Sequence, residues 1–429
     1  MPDCYISSGG ERAVTHITPR TKDKGNQIKR KRIISIASLL ALCLCALSLS
    51  GFLPIVTADE AAAAIPLRSA RIVQYVMDAD HFPLTSAHAA NIDQINYAHA
   101  MIRSGQVDVS HMQGLDSLRR YLANHPHIVS VLTIGDMGPD RFSEACSTAA
   151  GRQLLANSAL QIMDQYGFSG IEVDWAYPGV STSSAASADE DVEHWYELLT
   201  LLRAGLDERQ NVTGKPYILS VTLSAGSEQA EAVDGNRLNS LIDQAVIQSH
   251  DLRGFDRMTG HHAGLYPDGE TELSGAWAVQ SWLNTGLAPD KLLLGVPQYG
   301  RMWRKVATTG DGLHARAETS GNKLITFDEI SNLLQNGYTR HYDESAQSPW
   351  LFNGENFVSY DDEQSVQVKA AYVADHGLLG TALRHAGYDL DGMLPAAFGD
   401  AWIVSPAPDP ENAASTANSP AETAEIPAE

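Results

Sequence analysis

Cysteine is scarce in this 429-residue chain, and its distribution excludes a disulfide framework. Of the four cysteines, Cys4, Cys43 and Cys45 lie close to the amino terminus, which leaves Cys146 alone in the rest of the chain. One cysteine cannot form an internal disulfide. A hydrophobic core must therefore stabilise the fold, and the 44% hydrophobic content is enough for one large domain.

Basic residues are also few. The chain has 30 Lys and Arg against 52 Asp and Glu, a net charge of −22. Residues 1–58 hold eight of the cations and only three of the acids, so the remainder carries 22 against 49. A surface this acidic repels phosphate groups, and nucleic acid is excluded as an expected partner.

A long apolar run is present near the amino terminus. It follows the basic cluster Lys29–Arg32, covers Ile33–Val56 and ends beside the small residues that signal peptidase prefers, at Val56–Ala58. This pattern predicts an export signal with an amino-terminal extension over residues 1–58. The alternative is an uncleaved membrane anchor, because the run is long enough to span a bilayer. We expect a secreted or cell-envelope protein, of bacterial type because it lacks disulfides.

The segment at the carboxyl terminus lacks large apolar side chains. Residues 405–429 consist mostly of Pro, Ala, Ser and Glu, with no basic residue. Such a composition cannot repay the entropy cost of ordering. We expect a disordered acidic tail without a binding role.

Between these ends, strand patterns alternate with helical ones. Helical spacing is clear in "RQLLANSALQIMDQYG", which ends in a capping glycine. Eight strand candidates are "RIVQYVM", "IDQINYAHAMI", "HIVSVLTIGDMG", "GIEVDWAYPG", "YILSVTLSAG", "FDRMTGHHAG", "KLLLGVPQYGR" and "GLLGTALRHAG". This alternation predicts an α/β fold, a (β/α)8 TIM barrel over residues 66–404. Residues 304–357 are too long for a loop and predict a small α+β insertion between strands 7 and 8.

The segment Gly167–Gly179, "GFSGIEVDWAYPG", has acidic residues on one face of a buried strand. Alternation along a strand places Glu172, Asp174 and Ala176 on the same side. Functional sites of TIM barrels lie at the carboxyl ends of the strands. We expect this face to line the site, although Ala176 can neither donate nor accept a proton.

Several ordered motifs together resemble the family 18 glycoside hydrolases, which include chitinases and chitin-binding relatives that no longer hydrolyse. The similar blocks are "INYA" (Ile95–Ala98), "TIGD" (Thr133–Asp136), "GFSGIEVDWAYPG", "MTGHHAG" (Met258–Gly264) and "GVPQYGRMW" (Gly295–Trp303). The resemblance implies a mechanism in which a glutamic acid protonates the glycosidic oxygen and the substrate's N-acetyl group attacks the anomeric carbon. It also implies an aspartate that orients the acetamide and a tyrosine that supports the oxazolinium ion.

Carried over residue by residue, most catalytic positions of the resembled family differ here. The proton-donor position is Ala176, and only the acetamide-orienting position, Asp174, keeps its residue. The other altered positions are Ser169, Glu172, Gly260, His261, Arg384 (in place of the Trp that floors the reactive sugar) and Asp136. Since losing a general acid costs about 10²–10⁴ in rate, no catalytic residue is predicted to be intact.

Residues of the resembled cleft that could still hold a sugar are more numerous. Aromatic faces stack on sugar C–H groups, and carboxylates or guanidinium groups hydrogen-bond hydroxyl and acetamide groups. The predicted glycan-binding residues are Tyr75, Glu172, Asp174, Met258, Tyr299, Arg301 and Trp303. Tyr299 and Trp303 are equally compatible with packing in a core.

Three sharper interpretations of the polar residues remain. Glu172 and Asp174, with Asp136 nearby, could form a relocated acid/base pair, although a structural role within the barrel is favoured. His261 and His262 suggest a metal, but adjacent strand residues face opposite sides, so we predict no metal and no cofactor. Arg384 and His385 bring positive charge to the cleft floor and suggest a preference for an anionic or smaller ligand.

Taken together, the sequence predicts a family 18 pseudoenzyme that binds an N-acetylated aminosugar glycan, of chitin or peptidoglycan type, as a monomer. One alternative is a hydrolase with an altered mechanism that uses Glu172, Asp174 or Asp136. The other is a scaffold that binds a protein partner through the outside of the barrel.

Overall fold

The computed structural model describes residues 68–403 except 80–81, 136–139, 176–177, 180–187 and 309. The described residues belong to a single compact unit. The predicted signal (1–58), the tail (405–429), Asp136 and Ala176 lie outside the described residues. No helix in the described part of the chain is long and apolar enough to cross a membrane.

Fourteen strands and eleven α-helices make up the described fold. The strands are β1 (Arg71–Met77), β2 (Gln94–Arg103), β3 (Gln106–Asp108), β4 (Val129–Gly135), β5 (Gly170–Asp174), β6 (Ile218–Ser224), β7 (Gln244–Gln248), β8 (Leu292–Pro297), β9 (Tyr299–Trp303), β10 (Lys323–Thr326), β11 (Thr339–Asp343), β12 (Ser348–Phe352), β13 (Phe357–Ser359) and β14 (Gly380–Arg384). The helices are α1 (Ser86–Ala89), α2 (Leu115–Asn124), α3 (Asp140–Cys146), α4 (Ala149–Tyr166), α5 (Ala188–Thr213), α6 (Ser227–Ala232), α7 (Gly235–Asn239), α8 (Gly275–Asn284), α9 (Phe327–Leu334), α10 (Glu363–Asp375) and α11 (Met393–Ala401).

Eight of these strands close into a parallel barrel. The order around the barrel is β1-β2-β4-β5-β6-β7-β8-β14, and β1 pairs with both β2 and β14. Helices run between the strands along the chain, so the predicted (β/α)8 TIM barrel is confirmed. At the amino-terminal end of the strands, Arg71 Nη1 donates to Gln244 Oε1 at 3.1 Å and, at 3.5 Å, to Gln94 Oε1.

The helix predicted from "RQLLANSALQIMDQYG" is α4, and its ends follow ordinary capping chemistry. Thr148 precedes the helix, and its hydroxyl accepts a hydrogen bond from the amide of Gly151. Gly167 ends it with a left-handed φ of 74°, where its amide donates to the carbonyl of Met163. Glycine adopts this conformation at no steric cost, so the chain turns sharply into β5.

The prediction of the sixth barrel strand was wrong. It assigned the strand to "FDRMTGHHAG", but the sixth strand is β7, "QAVIQ", and Phe255–Gly264 forms a loop with one isolated bridge between Met258 and Arg316. The loop is rich in glycine and polar groups, whereas β7 is almost entirely buried, as a parallel strand must be.

The insertion between the seventh and eighth barrel strands is a five-stranded antiparallel sheet with one helix. Its strand order is β10-β9-β13-β12-β11, and α9 packs on it. The sheet begins at Tyr299 and ends at Ser359, so it uses more chain than the predicted 304–357. Because β9 follows β8 after only Gln298, the lobe is attached directly to the carboxyl end of a barrel strand.

The inside of the barrel has an apolar layer and a polar layer. The apolar layer is formed by Val73, Tyr75, Ala98, Val246, Leu293 and Ala382. The buried polar residues include Asn96, Thr133, Glu172, Ser220 and Thr222. An interior polar layer is costly unless its groups are hydrogen-bonded, and this requirement determines the geometry of the site.

Candidate functional site

Glu172 is completely buried, and its carboxylate is held by three neighbouring strands. Oε1 accepts hydrogen bonds from Asn96 Nδ2 and Ser220 Oγ, and Oε2 accepts one from Thr133 Oγ1, each at 2.8 Å. Burial and the nearby charge of Asp174 raise the pKa of Glu172. Since its side chain has no exposed surface, Glu172 stabilises the barrel interior and cannot touch a ligand in this arrangement.

Asp174 ends β5 and reaches the edge of the cleft with about 10% of its side chain exposed. Oδ1 accepts hydrogen bonds from Thr222 Oγ1 at 2.6 Å and Gln248 Nε2 at 3.1 Å. Oδ2 lies 3.0 Å from His99 Nε2 and 3.6 Å from Arg384 Nη2. Burial alone would raise the pKa of Asp174, but these neighbours, His99 and Arg384 foremost, hold it well below its usual range.

The same region depends on a glycine at the end of β4. A Cβ atom on Gly135 would lie 2.7 Å from the His99 ring and 3.3 Å from the Cβ of Asp174. Any larger residue would therefore push His99 away from the carboxylate. Gly135 lies within the predicted "TIGD" motif, whose final residue, Asp136, is outside the described residues.

Arg384, at the end of β14, lies over the ring of Tyr75. The guanidinium carbon is 5.2 Å from the ring centroid, within the range of a cation–π contact. The Tyr75 hydroxyl is buried without a well-formed hydrogen bond, and burial together with the charge of Glu172 raises its pKa. Tyr75, predicted as a glycan-binding residue, is 1% exposed, so Arg384 covers the face that a sugar would use.

A second cluster joins the end of β7 to the inserted lobe. Asp251 receives a two-pronged contact from Arg301, with Nε at 2.7 Å and Nη2 at 2.6 Å, and the Tyr299 hydroxyl donates to it at 2.8 Å. His250 and His262 also lie 3.9 and 3.5 Å from its carboxylate. Burial opposes ionisation of Asp251, yet these contacts hold its pKa far below its usual range.

Two predicted binding residues lie away from these clusters. Trp303 is fully buried among the apolar residues of the lobe, and its Nε1 donates to the carbonyl of Asp256 at 3.1 Å. It has no exposed face in this structure, which fits the alternative role of Trp303 as part of a core. Met258 is 37% exposed on the Phe255–Gly264 loop rather than on a barrel strand.

The neighbouring histidines of that loop have different partners. His261 Nε2 lies 3.1 Å from Asp343 Oδ2, whereas His262 faces Asp251. Within the described residues, no group of three or more His, Cys, Asp or Glu side chains is arranged to hold a metal ion.

The corrected sixth strand also changes which residues follow it. Gln248 ends that strand, and Ser249, His250 and Asp251 follow it. The assignment of sixth-strand positions to Gly260 and His261 was therefore wrong, because both residues lie in the loop that follows. Sequence reasoning missed Gln248, His250, Asp251, His99 and Thr222.

Comparison with known proteins agrees with this geometry. The sequence profile described as "Glycosyl hydrolases family 18" matches residues 71–389, about three quarters of the chain. This chain belongs to glycosyl hydrolase family 18. The closed parallel barrel is therefore that of a family 18 member.

Its family 18 relatives include enzymes of bacteria and plants. Chitinase A1 of Niallia circulans is 31% identical over 291 residues, which cover 62% of this chain and 41% of that protein. A class V chitinase of Arabidopsis thaliana is 26% identical over 348 residues, covering 78% and 90%. The chain thus spans less than half of the first relative and most of the second.

Solved family 18 structures superpose on most of the chain. A family 18 N-acetylglucosaminidase from Paenibacillus barengoltzii gives a TM-score of 0.72 at 30% identity, covering 77% of this chain and 99% of that one. A chitinase from Cycas revoluta, solved in complex with (GlcNAc)3, gives a TM-score of 0.69 at 24% identity. The second likeness supports the fold alone.

Proposed function

We propose that this chain binds a glycan of N-acetylated aminosugars, of chitin or peptidoglycan type, without hydrolysing it. The observation that carries the proposal is the state of Asp174. In the family mechanism this carboxylate must receive the substrate's acetamide, but here Thr222, Gln248, His99 and Arg384 already occupy both of its oxygens. Together with alanine at the proton-donor position, this removes two separate requirements of the reaction.

A binding role is supported by the groups that remain at the cleft. Arg301 and Tyr299 are held in place by Asp251, so these side chains lose little conformational entropy when a ligand binds. The relatives include chitinases, and a tobacco chitinase mutant was solved in complex with NAG4. An aminosugar glycan is therefore the ligand class to test first.

An altered hydrolase is the second candidate, favoured by the raised pKa of Glu172, which is the property of a general acid. Its complete burial and its three hydrogen bonds argue against contact with a glycosidic oxygen. If any turnover is detected, Glu172→Gln tests whether Glu172 is its general acid. The variant should abolish turnover and leave glycan binding intact only if Glu172 is catalytic.

The test of non-hydrolytic binding uses restoration of the missing groups. Product analysis of chitohexaose incubated with the wild-type chain should show no cleavage, and Ala176→Glu alone should also be inactive because Asp174 remains engaged. Combining Ala176→Glu with Arg384→Trp and His99→Ala should free Oδ2 of Asp174, restore an apolar floor and produce measurable cleavage. Rapid cleavage by Ala176→Glu alone would contradict the argument from Asp174.

We also propose that the protein acts outside the cytoplasm, secreted or attached to the cell envelope, as a monomer. The basic cluster Lys29–Arg32 followed by a long apolar run supports export. Fractionation of cells that express the full chain tests this, with the protein expected in the medium or envelope; retention in the cytoplasm would contradict it.

A further inference from the structure

Arg384 stands where an apolar floor is expected in this family, and the following inference rests on the proposed glycan-binding function. We propose that Arg384 makes the cleft select glycans that carry a carboxylate group, with the ligand carboxylate bound by the outer edge of the guanidinium. The proposal depends on unused donors, on the charges around the guanidinium and on the rings beside it.

Most hydrogen-bond donors of Arg384 have no well-formed partner in the part of the chain that the structure describes. Nη2 lies 3.6 Å from Asp174 Oδ2 and 3.4 Å from His99 Nε2, and neither contact has ideal geometry. Among the described residues, Nε and Nη1 of Arg384 have no acceptor. About 21% of the side chain is exposed, so part of the guanidinium-bearing side chain faces solvent. An arginine with a free edge can bind a carboxylate with two parallel hydrogen bonds.

The charge of Asp174 does not depend on Arg384 alone. Thr222, Gln248 and His99 contact the carboxylate at 2.6, 3.1 and 3.0 Å, closer than the guanidinium does. Guanidinium groups can bridge two carboxylates because their five donors point in several directions. A ligand carboxylate can therefore bind the free edge of Arg384 while Asp174 keeps its other partners.

Glu172 adds to the negative charge that Asp174 places near Arg384, and the other neighbours of Arg384 include histidines and aromatic rings. Burial, with the nearby charge of Arg384, lowers the pKa of His385 to about 4, and burial also lowers the pKa of His250. The His385 ring packs against Tyr388 at a tilt of 38°, with 3.8 Å between the ring centroids, and Tyr388 meets Tyr299 edge-on at 6.0 Å. A cation bordered by aromatic rings suits a sugar ring with one acidic substituent.

Two kinds of aminosugar glycan provide this chemistry. One carries a lactyl ether carboxylate on the aminosugar itself, and the other alternates aminosugars with uronic acids. The shared group is a carboxylate next to a pyranose ring. Chitin lacks it, so a neutral chitin oligomer of equal length is the matched comparison.

Calorimetry of the full chain with three tetrasaccharides tests the inference: chitotetraose, a GlcNAc–MurNAc tetrasaccharide and a GlcNAc–glucuronate tetrasaccharide. Charge-assisted hydrogen bonds predict at least about tenfold tighter binding of one acidic ligand than of chitotetraose. The tighter of the two acidic ligands identifies the source of the carboxylate. Equal or weaker binding of both acidic ligands would overturn the inference but leave the proposed function standing. No binding of any of the three would contradict both.

Variants of Arg384 assign the preference to this residue. Arg384→Gln should reduce the preference for the acidic ligand over chitotetraose to within about threefold. Arg384→Lys keeps the positive charge but cannot make two parallel hydrogen bonds to a carboxylate, so it should give an intermediate preference. This variant replaces Arg384→Gln in the test if the Gln variant is unstable. Arg119→Gln, which removes one exposed arginine from α2, is the matched control and should keep the wild-type preference. A preference that survives Arg384→Gln would overturn the assignment.

Discussion

Asp174 is engaged by the protein's own side chains at the end of its barrel strand. Four side chains from β2, β6, β7 and β14 converge on its two oxygens. A carboxylate satisfied in this way contributes to stability. The proposed change from a catalytic to a structural role can therefore be measured at this single residue.

Replacing Asp174 by Asn should destabilise the fold, because Arg384 would lose its counter-charge in a largely buried position. Removing one partner of a buried pair costs about 3–5 kcal/mol, and partial exposure here suggests about 2–4 kcal/mol at pH 7. The measurement is chemical denaturation. Asp116→Asn, in a highly exposed pair with Arg119, should change stability by less than about 1 kcal/mol.

The same substitution has a pH dependence of known sign. Because the folded-state pKa of Asp174 is lowered, its ionisation stabilises the native state above the unfolded pKa of about 4. That contribution is lost as the pH falls through the lower folded-state pKa. The difference in unfolding free energy between wild type and Asp174→Asn should therefore be largest at pH 7 and decrease in strong acid. A difference that increases below pH 4 would contradict this assignment.

His385 should make the protein less stable as the pH falls below about 6.5. Its Nδ1 accepts the Gly387 amide, so the folded state favours the neutral ring, and its pKa is lowered to about 4. Between those two pH values the unfolded state binds the proton more readily than the folded state. The free energy of unfolding should therefore fall by about 1–3 kcal/mol. The substitution His385→Asn keeps a hydrogen-bond acceptor and removes the titratable imidazole. Urea unfolding at pH 7 and 4.5 should show a smaller drop in unfolding free energy for His385→Asn than for wild type. An equal drop in both proteins would contradict the prediction.

At the scale of elements, the end of β7 and the first strand of the inserted lobe are joined through Asp251. Its contacts with Arg301 and Tyr299 are short, and all three groups are at least half-buried. Since β9 begins the lobe's sheet, this link fixes the lobe at the edge of the cleft. The exposed pair of Lys305 and Glu318 on the same lobe provides a natural comparison.

Asp251→Asn should loosen the lobe more than the barrel. Loss of the charge leaves Arg301 without its partner, and we expect a loss of about 2–4 kcal/mol in unfolding free energy. Hydrogen exchange should show reduced amide protection in β9, β10 and β13, with β1 and β2 unchanged. Glu318→Gln should leave protection as in wild type. Equal loss of protection in barrel and lobe would show that Asp251 has no specific role in the attachment.

Seven of the eight barrel strands were predictable because buried parallel strands form apolar runs between amphipathic segments. The sixth was missed because "QAVIQSHD" is short and followed by a long polar loop. A local signal was available: Ile-Asp-Gln leads into both β2 and β7, and its Gln is the first residue of the strand. In each case the aspartate, Asp93 or Asp243, accepts a hydrogen bond from the amide of the second residue of the preceding strand at 2.7 Å.

The candidate site was only partly predictable for a different reason. Alternation along β5 correctly placed Glu172 and Asp174 on the barrel interior. It could not show that Glu172 would be sealed by Asn96, Thr133 and Ser220, since these residues come from strands distant in the sequence. The same limit concealed the burial of Trp303, because a lone tryptophan can equally be a ligand platform or part of a core.

At the scale of the whole molecule, an acidic chain keeps the family 18 barrel, and we propose that its chemistry has changed. The net charge of −22 makes the surface repel anions in general, so any selectivity for an acidic glycan must come from local groups such as Arg384. Stability comes from the closed barrel and its core. The fold is therefore compatible with the proposed loss of the family's catalytic acid.

The most direct test of this account is isothermal titration calorimetry of the full chain with chitohexaose, followed for several hours with product analysis of the same sample. The account predicts saturable heat of binding, then a flat baseline and intact hexasaccharide. A continuing heat of turnover with shorter products would contradict non-hydrolytic binding, and the absence of any heat would contradict recognition of this glycan.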